Sequence, residues 1–97
     1  MFLAAAVQLS SDSDERRSLA EAHALVARSA GYGATLVVTP ENTNFLGPHD
    51  EKVRRAQPLD GPTARTYSSW ARQHQIYLLI GSFNERSDDP KRCYNTS

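Results

Sequence analysis

Thr35-Leu36-Val37-Val38-Thr39-Pro40-Glu41-Asn42 decides the fold class. Five β-branched or aliphatic residues in a row make a strand, and Pro40, which cannot donate to a ladder, stops it. Immediately upstream, Gly31 and Gly33 mark the end of a helix. That helix begins at Asp12-Ser13-Asp14-Glu15, where an oxygen acceptor followed three residues later by Glu resembles a capping box, with further negative charge at the positive end of the helix dipole. Leu19, Ala22, Val26 and Ala30 recur at spacings of three and four and define its buried stripe, while Arg16, Arg17, Glu21 and Arg28 lie mostly away from it. Further upstream, Leu3-Ala4-Ala5-Ala6-Val7-Gln8-Leu9 lacks polar alternation, which predicts a strand covered on both faces, as in a parallel sheet. The first forty residues therefore form a strand–helix–strand unit, right-handed by default, and the chain is α/β.

Downstream, Pro40, Gly47, Pro48, Pro58 and Gly61 spell a long connection with one helical turn around Asp50–Ala56; long loops often carry function. Asp60-Gly61-Pro62 opens a second main helix, with Pro62 at its first position and Ala64, Tyr67, Ala71 and His74 inward, flanked by Trp70. Ile76–Phe83 is predicted as a third, central strand. After a turn at Ser87-Asp88-Asp89-Pro90, Arg92–Ser97 looks like a fourth strand entered from a hairpin. Three or four strands with two covering helices leave apolar faces or long edges open, so residues 1–97 are not expected to be a whole protein.

The chain's 97 residues make at most one domain, and 39% hydrophobic against 23% charged residues is the composition of a globular protein. Eleven Lys plus Arg balance eleven Asp plus Glu, which offers no field to hold a nucleic acid or an acidic membrane. One cysteine forms no internal disulfide and, without a Cys-x-x-Cys companion, no zinc site, which points to a reducing compartment. The apolar N-terminus lacks a basic leader and meets Gln8, Ser10 and Asp12 too early for a signal peptide. A cytoplasmic protein is expected.

The chemistry-bearing candidates are few. Glu41 stands just beyond the carboxyl end of a parallel strand, where open α/β sheets place their ligands, and Pro40 stiffens the turn that carries it. From position alone it is either a catalytic carboxylate or a solvated loop residue. His23, His49 and His74 show no ligand spacing, so neither a metal nor a cofactor is implied. Gly31-Tyr32-Gly33 precedes a strand, whereas a phosphate-binding glycine turn must follow one.

Ala6-Val7-Gln8-Leu9, Gly33-Ala34 before Leu36-Val37-Val38, Pro40-Glu41-Asn42 with Phe45-Leu46-Gly47, Leu59-Asp60-Gly61-Pro62, Gly81-Ser82-Phe83-Asn84-Glu85 and Tyr94-Asn95-Thr96 come in a specific order and spacing. In these the chain resembles the N-terminal part of the nitrilase superfamily, the carbon-nitrogen hydrolases. Gly81-x-Phe83-x-Glu85-Arg86 and Tyr94-Asn95 favour the amidases similar to deaminated glutathione amidase. The resemblance implies an α-β-β-α sandwich, of which the first three to four strands and two main helices are present. It also implies a Glu-Lys-Cys triad in which Glu is the general base, Lys stabilises the oxyanion and Cys forms an acyl thioester. Only Glu41 matches that triad: Lys52 lies in the long loop, Lys91 and Cys93 lie in the hairpin, and the family's Lys and Cys belong to later elements. Thr43 departs from the aromatic residue many relatives carry two places after the Glu, which bears on the pocket wall.

The resemblance implies a small-molecule amide substrate, with a carboxylated amide favoured, and a homodimer or larger homo-oligomer at full length. The chain alone is expected to be inactive. Carbamoyl or nitrile hydrolysis is the alternative within the superfamily; outside it, the alternative is a non-catalytic α/β interaction module or a decayed gene product.

Overall fold

The computed structural model describes all of residues 1–97. Five strands and three helices follow in the order β1 (Leu3–Ala6), α1 (Glu15–Gly31), β2 (Ala34–Val38), α2 (His49–Arg55), α3 (Pro62–His74), β3 (Tyr77–Leu79), β4 (Phe83–Arg86) and β5 (Cys93–Thr96). The chain is α/β, as the strand–helix–strand pattern requires. β1, β2 and β3 form a parallel sheet in that order, with Ala6 opposite Val38 and Val38 opposite Leu79. β4 and β5 form a separate antiparallel pair.

Local signals act where the sequence puts them. α1 starts in the predicted segment, but its cap is Asp14 and not the Asp12 that the capping-box spacing names: the Asp14 carboxylate accepts from the Arg17 N–H at 3.0 Å, satisfying one of the helix's orphan donors. Tyr32 ends α1, and Gly33 follows with φ of 95°, which a residue with a Cβ rarely adopts. Pro62 occupies the first turn of α3, where its missing N–H costs nothing.

The core lies between the sheet and the α1–α3 layer. Ala22 and Val26 of α1, Tyr67 and Trp70 of α3, Ala34 and Val37 of β2, and Leu9 pack together there. Trp70 is buried rather than flanking, because the inward stripe of α3 runs through Thr63, Tyr67 and Trp70, one position round from the predicted Ala64, Ala71 and His74. Ser18 takes the place predicted for Leu19 on the fully buried line of α1.

Two strand expectations are corrected. β1 is not covered on both faces: Leu3, Ala4 and Ala6 are exposed, because both helices sit on one side of the sheet and β1 is an edge. Ile76–Phe83 is not one central strand. Tyr77–Leu79 closes the parallel sheet as its other edge, with Tyr77 and Leu79 exposed, and Phe83 onward enters the second sheet. The break falls at Gly81, whose backbone lies so near the Thr39 carbonyl that a Cβ there would collide with it. With that split and the seven-residue α2, the count rises to five strands and three helices.

Candidate functional site

Glu41 stands at the carboxyl end of β2, the central strand, in a bend formed by Thr39–Thr43. Its side chain is exposed, but the backbone that carries it is tied down on every side. The Thr39 N–H continues the sheet by donating to Leu79 C=O at 3.0 Å, and the Gly81 N–H donates to Thr39 Oγ1 at 3.3 Å. The Ser82 N–H donates to Pro40 C=O at 3.0 Å, and the Thr43 N–H returns the bond to Ser82 C=O at 2.9 Å. The Asn42 N–H donates to Ser82 Oγ at 3.3 Å, and that hydroxyl in turn donates to Asn95 Oδ1 on β5. Asn42 holds φ of 51°, a left-handed conformation that Asn tolerates better than most residues.

Thr43, the departure noted in the sequence, is buried and fixes the far end of the bend. Its hydroxyl shares a 2.8 Å hydrogen bond with the Tyr67 hydroxyl, and its carbonyl accepts from Ser11 Oγ at 2.9 Å. Burial pushes the Tyr67 hydroxyl up to about 12, while its bonds with Thr43 and Thr39 pull the other way. A phenol that stays neutral there keeps the Thr43 contact intact at ordinary pH. Beyond Thr43, Asn44 donates to Glu15 Oε1 at 3.0 Å, and Arg55 lies over the Phe45 ring at 5.0 Å while pairing with Glu15 at 3.6 Å. The N-terminus of α1 and the end of α2 thus brace the loop.

The other reactive side chains are not brought to Glu41. Cys93 is half-buried on β5 opposite Arg86, at the far end of the hairpin from the Ser82–Asn95 contact. Along the strands Ser82 is four residues from Arg86 and Asn95 two from Cys93, about 13 Å and 7 Å at the usual strand rise. Lys52 lies on α2, and Lys91 lies in the turn, where its carbonyl meets a ring nitrogen of His49 at 3.1 Å. A cleft of about 650 Å³ also opens there, between His49, Arg54, Arg86 and Lys91, and does not include Glu41. His23 and His74 meet across α1 and α3 with ring centroids 6.2 Å apart, a proximity no sequence spacing shows. Trp70 stacks on His23 at 4.7 Å, and no group of three His, Cys, Asp or Glu gathers to hold a metal. No helix is long and apolar enough to cross a membrane.

Sequence reasoning singled out Glu41 but missed Ser82 as its anchor. The only available signal was a Gly-Ser pair interrupting an apolar run.

A parallel sheet with helices on one face, and a carboxylate on a pinned bend at the end of its central strand, is a layered α/β scaffold with a candidate site at the strand ends. The family model described as carbon-nitrogen hydrolase matches residues 3–97, and the chain belongs to that family. It is 33% identical over 97 residues to the deaminated glutathione amidase of a Synechocystis strain, covering 99% of this chain and 36% of that protein. With deaminated glutathione amidase of Bos taurus it shares 32% identity, over 96% of this chain and 30% of the relative. An omega-amidase of Danio rerio is 34% identical over 98% of this chain and 34% of its own length. Among solved structures, the C. elegans NitFhit protein superposes with a TM-score of 0.78 at 22% identity, over 93% of this chain and 26% of that one. The likeness to NitFhit speaks for the fold alone. The chain spans about a third of the length of the curated relatives it matches.

Proposed function

We propose that residues 1–97 are the N-terminal part of an amidase domain that hydrolyses a small carboxylated amide through a cysteine thioester, with Glu41 as general base. The observation that supports this reading is the pinned bend: a carboxylate at the end of the central strand whose flanking backbone is hydrogen-bonded on both sides. The names of the relatives, amidases in each case, support the reaction class. In this reading the Lys and Cys lie beyond Ser97. A free thiol near pKa 8.5 gives its proton to a carboxylate near 4.3 only at a cost of about 6 kcal/mol, so the carboxyl must be tuned. Glu41 is exposed among residues 1–97.

The chemistry balances with water as the only co-reactant. The Cys sulfur bonds to the amide carbon as its proton passes to Glu41, and the same proton leaves with the nitrogen as ammonia. Water then gives a proton to Glu41 and cleaves the thioester, releasing a carboxylic acid and restoring the thiol. Carbamoyl and nitrile substrates would use the same base. The test is a substrate panel of amides, carbamoyl compounds and nitriles on the full-length protein and its Glu41→Gln variant. The variant should lose at least 10²- to 10⁴-fold in kcat/KM, the usual range for a general base, while staying folded. Undiminished amide hydrolysis by the folded variant would overturn the assignment.

A further inference from the structure

We infer that Ser82 is a positioning residue for Glu41, an inference that rests on the general-base reading above. Two peptide planes meet at the Glu41 Cα. The first contains the Pro40 carbonyl, which accepts from the Ser82 N–H at 3.0 Å. The second contains the Asn42 N–H, which donates to Ser82 Oγ at 3.3 Å. One residue therefore fixes both planes, and with them φ and ψ of Glu41 and the direction in which its side chain leaves the backbone. The third bond, from the Thr43 N–H to Ser82 C=O, keeps the bend from sliding along this anchor.

The serine is itself oriented. It is 3% exposed, and its hydroxyl proton goes to Asn95 Oδ1, which leaves an oxygen lone pair for the Asn42 N–H. Gly81 lets the strap lie against the Thr39 carbonyl, where any side chain would hold it off. The chain of control thus runs from β5 through Ser82 to the bend. A general base displaced by 1 Å loses about 10²-fold in rate, so freeing one of the two planes should slow the chemical step without weakening substrate binding.

Ser82→Ala keeps both backbone bonds and removes only the hydroxyl. In the full-length enzyme it should lower kcat 10- to 100-fold with KM within about twofold, and Ser82→Thr, which restores the hydroxyl, should recover most of the loss. Asn95→Ala should lower kcat several-fold in the same direction, and Asn95→Asp, which keeps the acceptor, should not. A Ser82→Ala enzyme that melts earlier but turns over normally while folded would overturn the inference, as would a loss confined to KM. If Ser82→Ala does not fold, the Asn95 pair decides: equal kcat in Asn95→Ala and wild type would overturn it. The general-base reading fails separately, through an active Glu41→Gln enzyme, whatever the Ser82 variants do.

Discussion

Two polar bends cap strands in this molecule, and they are built in opposite ways. The bend Thr39–Thr43 takes its hydrogen bonds from Ser11, Tyr67, Leu79, Gly81 and Ser82, all 24 or more residues away in sequence. The turn Ser87–Arg92 bonds almost wholly to itself: Ser87 Oγ donates to the Asp89 and Arg92 carbonyls, and the Lys91 N–H donates to Asp89 Oδ1. Its ion pair, Arg92 with Asp89 at 3.7 Å, is exposed on both sides and contributes little. His49 supplies its one side-chain link to a distant element. Each contains one proline, and each carries or adjoins a residue capable of chemistry, Glu41 in the first and Cys93 next to the second. Only the first is referenced to the core, so a side chain on it has a defined position relative to the sheet. A self-closed turn fixes its own shape and little else.

The sharpest way to break this contrast is Gly81→Ala. The added Cβ meets a backbone oxygen, which cannot swing aside as a side chain can, so the strap and the bend must separate. Overpacking of this kind costs typically 1–3 kcal/mol, and with the flanking bonds strained about 3 kcal/mol is expected here. For a chain of this size that lowers Tm by about 12 °C or more, measurable by thermal circular dichroism. Asp89→Ala in the self-closed turn should shift Tm by no more than about 3 °C, consistent with a change of about 0.5 kcal/mol or less.

How much of this was legible in the sequence follows from what each signal reports. The capped start of α1, the terminator at Gly33 and Pro62 at the head of α3 act through their own backbone, and all three stand where the sequence puts them. Glu41 could be placed at a strand end for the same reason. Where one sheet stops and another begins could not be read, since Ile76–Phe83 is apolar but for the Gly81-Ser82 pair and the break depends on Gly81 touching Thr39, forty-two residues away. The exposed outer face of β1 was invisible because an apolar run does not say how many sides will be covered. Ser82 was hidden similarly: a serine between two strands shows its importance only when its partners from Pro40 to Thr43, and Asn95, are seen together.

Tyr67→Phe tests the other anchor of the bend with a smaller effect. Losing the phenol leaves the buried Thr43 hydroxyl without its partner, which should cost about 1–2 kcal/mol at neutral pH. The pH dependence has a definite sign. The folded pKa is raised from 10.0 to about 12, so the unfolded chain releases its proton first as pH rises. The contribution of this group is intact below pH 10 and falls between pH 10 and about 12, by about 2 to 3 kcal/mol in all. The Phe variant lacks that loss, so the stability difference between the two proteins should shrink or reverse above pH 10. Chemical denaturation of both at pH 8 and pH 11 measures it; a constant difference would show that Tyr67 is not held neutral by burial.

The smallest effect is expected where a reactive group adjoins the self-closed turn. Cys93 is the single thiol of the 97 residues and so the one side chain that would let the chain act without a later nucleophile. Its position argues against that. It pairs with Arg86 at the turn end of the hairpin, about 13 Å along the strand from the level of Ser82, whereas a thiol that passes its proton to a carboxylate must come within about 3 Å of it. Cys93→Ser in the full-length protein should therefore leave kcat and KM within about twofold of wild type and stability within about 0.5 kcal/mol. A loss of activity comparable to that of Glu41→Gln would mean that the turn is positioned as firmly as the bend, and that the number of long-range hydrogen bonds does not measure how well a side chain is held for chemistry.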